Sequence, residues 1–150
     1  MDPQVLRWLV AASHLLALGI GFGALWARGR SLRGELDAAG LKRVFLADNF
    51  WGIAALLWVG TGLWRAFAGL EKGTAYYLAS TAFEVKMGLF AAVGLLEIWP
   101  MATLIAWRVR IAKGGSVETH PARWFARISE LQVFLLVGIL LAATAMARGS

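Results

Sequence analysis

Four long apolar blocks, each bounded by charged residues, constrain this chain more than any other feature. They run from about Val5 to Trp26, Val44 to Phe67, Ser80 to Trp107 and Trp124 to Ala147. Each can cross roughly 30 Å of hydrocarbon, some with tilt. A bilayer leaves no water for backbone N–H and C=O groups, so only helices or closed barrels span it. Barrels need alternating strands of about ten residues, and the blocks show no alternation. The predicted fold is therefore all-α, an integral membrane four-helix bundle forming one domain over residues 1–150. Trp8 and Trp26 stand about 27 Å apart along a helix, which suits one interfacial aromatic at each end of the first span.

The first block is read as a retained helix rather than a signal peptide. Its early cation Arg7 is opposed by Asp2, no clean small-x-small cleavage site follows, and His14 interrupts the apolar run. Charged residues make up only 16% of the chain, against roughly a quarter in soluble domains. The absence of cysteine excludes disulfides, thiolate catalysis and Cys-ligated metals. The net charge of +6 does not point to nucleic acid, because the cations flank the apolar blocks.

Those cations set direction instead. The first connection and its helix ends carry Arg28, Arg30, Arg33, Lys42 and Arg43, and the third carries Arg108, Arg110, Lys113, Arg123 and Arg127. The other side has Arg65, Lys72, Arg7 and Arg148. Positive residues concentrate on the cytoplasmic side, so loops 27–43 and 108–123 are expected there and both termini on the non-cytoplasmic side of a bacterial inner membrane. Leu32, Leu36 and Ala39 suggest a short amphipathic helix over residues 31–41 on that inner surface. Pro121 suits the start of the fourth helix. Small residues mark expected helix approaches: Gly19 and Gly23, then Gly52, Gly60 and Gly62, then Gly88 and Gly94.

Ionisable groups inside a bilayer are costly, so those present are candidates for function. His14, in mid-span, is suited to ligating haem iron or another metal, relaying protons or bonding a neighbouring helix. Lys86 either snorkels to the headgroups or meets an acid inside. Lys86, Phe90, Val93 and Glu97 share one helical face, with Lys86 and Glu97 about 16 Å apart. Pro100 interrupts the hydrogen-bond ladder of that helix. Asp48 is expected to pair with Lys42 or Arg43, and Glu130 with Arg123 or Arg127. The alternative is an acidic cluster of Asp48, Glu97 and Glu130 suited to proton or cation passage. His120 lies at the surface, too far in depth from His14 for a bis-histidine haem. No Walker loop, HExxH, GxSxG or dinucleotide fingerprint is present.

Leu46-Ala-Asp-Asn-Phe-Trp-Gly52, Gly60-Thr-Gly-Leu-Trp-Arg65 and Glu71-Lys-Gly-Thr-Ala-Tyr-Tyr77 resemble a bacterial family of predicted membrane proteins of unknown function. Lys86-Met-Gly-Leu-Phe90 and Glu97-Ile-Trp-Pro-Met101 fit the same family. More distantly, the chain resembles HemJ-type protoporphyrinogen oxidases and copper-resistance membrane proteins, through His14 in the first span and, for the HemJ type, Lys86 in a later one. That likeness implies haem b or a related tetrapyrrole, with His14 as metal ligand and Lys86 beside an acid group of the ligand. Around the place where that family often carries histidine this chain has Glu97, so binding is implied more strongly than oxidase activity. Two other readings stand beside it. One is an accessory or assembly subunit of a larger membrane complex, or a homo-oligomer, packing its glycine faces and eight tryptophans on partner helices and lipid. The other is a proton-coupled transporter using Asp48, Glu97 and Glu130.

Overall fold

A computed structural model of the chain describes residues 1–67 and 80–148. It contains four helices, all long and apolar enough to cross a membrane: α1 (Pro3–Arg33), α2 (Ala38–Phe67), α3 (Thr81–Ala112) and α4 (Ala122–Ala147). The predicted spans lie within these helices, apart from Ser80, which caps α3 by accepting from the Phe83 backbone N–H at 3.3 Å. The motif 71–77 and the cation Lys72 lie outside the described residues.

Local chemistry explains where each helix begins. Pro3 opens α1, where its missing N–H has no helical partner to lose, and Asp2 accepts from the Gln4 N–H at 2.9 Å. Asp37 does the same for α2, accepting from the Gly40 N–H at 2.8 Å. The amphipathic helix expected over residues 31–41 does not form. Instead α1 continues to Arg33 and α2 starts at Ala38, because Leu32 and Leu41 are both drawn into the bundle core. The chain reverses within four residues, so tightly that a Cβ on Gly40 would collide with the Glu35 carbonyl. Gly40→Val is expected to cost about 1–3 kcal/mol, read as a lowered unfolding midpoint in detergent. Gly114, at φ +79°, supplies the left-handed turn that ends α3.

In the bundle α1 packs on α2 and α4, and α4 packs on α3, whereas α2 and α3 do not close-pack. Two apolar clusters fill the interior. Leu32, Val44, Leu104, Trp107 and Phe125 gather toward the connections, while Leu25, Trp51, Val93, Leu136 and Ile139 gather toward the chain termini. The expected glycine contacts are largely corrected. A Cβ on Gly19, Gly23, Gly52, Gly60, Gly88 or Gly94 would meet nothing within 4 Å, so these glycines look outward. The close approaches lie elsewhere, as where Gly21 meets Trp51 and Gly62 meets His14.

Candidate functional site

Between the two apolar clusters lies a layer of charge centred on Arg28, which is fully buried. Arginine has five N–H donors, and each one here has an acceptor. Nε donates to Ser129 Oγ at 2.9 Å. Nη1 donates to Asp48 Oδ1 at 2.8 Å and Glu97 Oε1 at 2.7 Å. Nη2 donates to Glu97 Oε2 and Gln132 Oε1, both at 2.9 Å. Glu97 is thus gripped by both prongs of the guanidinium, the strongest arrangement for this pair. Gln132 completes the layer by donating through Nε2 to Glu97 Oε2 at 2.9 Å and to the Val93 carbonyl at 3.1 Å.

One side chain therefore ties α1 to α2, α3 and α4 together. Arg108, partly exposed, joins from the rim, donating to Asp48 Oδ2 at 2.8 Å, Asn49 Oδ1 at 2.9 Å and the Phe45 carbonyl at 3.2 Å. Two arginines face two carboxylates, so the layer is formally neutral. Burying such charges is costly, and neutrality with full hydrogen bonding is what makes it tolerable.

These contacts correct several expectations. Asp48 pairs with Arg28 and Arg108, not with Lys42 or Arg43, which lie six and five residues back and so point to other faces of α2. Glu130 pairs with Arg33 of α1 at 2.6 Å instead of Arg123 or Arg127. The proposed three-acid cluster is consequently only a pair: Asp48 and Glu97 converge, while Glu130 stands apart on the exposed edge. Arg28, counted from the sequence as a loop cation, is the most enclosed charge in the described bundle. Its signal was spacing: it follows Leu25 by three residues and precedes Leu32 by four, on the apolar face of α1. His120 sits exposed near Glu118, far from any of this.

About 21 Å along α1 from Arg28, His14 occupies a second polar point. It is buried, and its Nδ1 lies 2.9 Å from Thr61 Oγ1. The threonine hydroxyl donates its one proton to the Leu57 carbonyl at 2.6 Å, so it accepts from histidine. Nδ1 therefore carries a proton in this contact. Trp58 stacks beside it, centroids 5.9 Å apart and planes 26° apart, and Phe90 meets Trp58 edge-on at 5.6 Å. Thr61→Val removes the acceptor. It should cost about 1 kcal/mol and shift the tautomer ratio, visible in the imidazole nitrogen resonances.

His14, Trp58 and Phe90 line a cavity of about 370 Å³ toward the terminal end of the bundle. Lys86 and Arg65 line it too, and no carboxylate does among the described residues. The inward face expected on α3 is thus divided, with Lys86 and Phe90 on the cavity and Val93 and Glu97 in the charged layer. Among the described residues no group of three or more His, Asp or Glu side chains is placed to hold a metal ion.

A family model described as "Predicted membrane protein (DUF2214)" matches residues 6–150. No curated protein and no solved structure matches the chain.

Proposed function

We propose, from the premise that the chain belongs to this family of predicted membrane proteins, that it is a binding protein for a flat apolar cofactor of the tetrapyrrole class, held in the His14 cavity. The observation that carries the reading is the anchored imidazole, whose Nδ1 is tied to Thr61 while its ring edges a cavity of small-molecule size. Metal-ligating histidines are commonly oriented in this way through the nitrogen that does not bind.

Haem b suits the donor set. His14 offers an imidazole nitrogen, and Met87 and Met146 bring thioethers to the same lining. Lys86 and Arg65 belong to the same lining. When bound, haem iron supplies one-electron chemistry. The chain's own part is to seat the ring, fix the imidazole and exclude water with aromatic walls. The carboxylates weighed for proton or cation passage are engaged by arginine, which argues against the transporter reading.

The charge distribution supports placing connections 34–37 and 113–121 in the cytoplasm and both termini on the other side, in a bacterial inner membrane. Removing Arg28 from the tally leaves that asymmetry intact. Titration of purified protein in detergent with haem b tests the reading. A saturable, equimolar shift of the main absorption band supports it, and a linear, non-saturating response refutes it.

The outward-facing Gly19 and Gly23 favour a second reading, as a subunit of a larger membrane assembly. They line a shallow groove with Ala27 and Phe50 that is open to lipid or to a partner helix. Purification in mild detergent at fixed stoichiometry with another membrane protein would support that reading.

A further inference from the structure

We propose that the groove between α1 and α2 seats an acyl chain of an anionic phospholipid, whose phosphate meets Arg43 and Ser31 at the end nearest the helix connections. The groove lies on the lipid-facing surface, so the proposal is independent of what the His14 cavity holds. Gly19, Gly23, Ala27 and Ser31 recur at every fourth position of α1, and Arg43 and Phe50 stand two turns apart on α2. Each helix thus gives the groove a single face. Its floor is bare backbone, since a Cβ on Gly19 or Gly23 would meet nothing within 4 Å.

Length and charge together choose the occupant. From Gly19 to Ser31 the groove runs about 18 Å along α1. One leaflet of hydrocarbon is about 15 Å deep, so the groove fits one leaflet and does not reach through the other. One turn beyond Gly19, Leu16 stands 65% exposed on α1 and closes that end. A partner helix crossing the bilayer would need the face open through both leaflets. Toward the connections, Ser31 lies about 7.5 Å past the exposed Trp26, at headgroup level. The cations of this end are not alike. Arg28, Arg33 and Arg108 hold carboxylates of the chain itself, whereas the exposed Arg43 guanidinium makes no ion pair or hydrogen bond among the described residues. A guanidinium matches phosphate with two parallel N–H···O bonds, and the Ser31 hydroxyl adds a donor. A net negative headgroup is favoured over a zwitterionic one, which presents the same phosphate beside its own cation.

The test is native mass spectrometry of delipidated protein in detergent, titrated separately with dioleoylphosphatidylglycerol and dioleoylphosphatidylcholine. Wild-type protein is expected to bind one phosphatidylglycerol with a dissociation constant about fivefold below that for phosphatidylcholine. Arg43→Gln should remove that preference and leave the phosphatidylcholine constant unchanged. Gly23→Leu should weaken both lipids about tenfold at an unchanged unfolding midpoint, because it fills the groove while its Cβ touches no neighbour. Arg110→Gln removes a cation at the same end of the bundle that does not line the groove, and should change neither constant. Equal binding of the two lipids to wild type overturns the proposal, as does a preference that survives Arg43→Gln. An equal loss in Arg43→Gln and Arg110→Gln also overturns it, by assigning the preference to the summed charge of that end. If Gly23→Leu releases a second protein, or a second copy of the chain, and leaves lipid binding intact, the groove belongs to a helix and the proposal fails.

Discussion

Arg28→Met is expected to destabilise the bundle by about 3–5 kcal/mol, the largest effect of any single substitution considered for its stability. Methionine fills much of the same volume but donates nothing. Asp48 and Glu97, whose side chains are only 11% and 16% exposed, would then lose their main counter-ion. Ser129 and Gln132 would lose a donor as well. Unfolding midpoints in a mild detergent, titrated with a denaturing one, would read the loss. Arg28→Lys should recover only part of it, because an ammonium has three donors and cannot make the planar two-pronged grip on Glu97. The triple variant Arg28→Met, Asp48→Asn, Glu97→Gln should recover most of it, since the cost comes from leaving charge unpaired rather than from losing the ion pair itself. A loss below about 1 kcal/mol for Arg28→Met would mean that apolar packing alone closes the bundle.

The position of this layer suggests why the bundle keeps it. Apolar helices in a bilayer have little to choose between one axial register and another, because lipid tails are as apolar as leucine. A guanidinium that must reach acceptors on α2, α3 and α4 at once fixes the relative height of all four helices. The cavity about 21 Å away along α1 then inherits that register, including the pairing of His14 with a threonine 47 residues further along the chain.

The four spans were legible in the sequence because twenty or more apolar residues between charged flanks admit few alternatives in a membrane. Part of the inward face of α3 was legible too, since Lys86, Phe90, Val93 and Glu97 recur at helical spacing. The partner of Asp48 and Glu97 was not. Arg28 stands two residues beyond Trp26, where a cation reads as an orientation signal, and only continuing α1 to Arg33 turns it onto the core face. Ser129 and Gln132 escaped notice for a different reason. They are neutral, so nothing in their chemistry marks them as costly, although they fall on the same face of α4 as the buried Phe125, Val133 and Leu136. Glu130 was placed with neighbours on its own helix, whereas α1 runs on far enough past the predicted span to bring Arg33 beside it. The glycines misled because their spacing signals a smooth face without saying whether protein or lipid covers it.

His14→Ala is expected to reduce haem b affinity at least about 100-fold, because the change removes a ligand to the metal rather than a group behind it. Stability should change less than for Arg28→Met, since the guanidinium makes five hydrogen bonds that reach three other helices and is the main counter-ion of two carboxylates. Charge-layer variants and cavity variants should therefore separate, one set lowering stability and the other lowering ligand binding. The most direct test of the cavity as a cofactor site is a reduced-minus-oxidised visible difference spectrum of protein purified from haem-supplied cells, recorded for wild type and His14→Ala side by side. Haem bands present in the wild type and absent from a folded His14→Ala protein are the predicted result. A colourless wild type, or equal bands in both proteins, would contradict it.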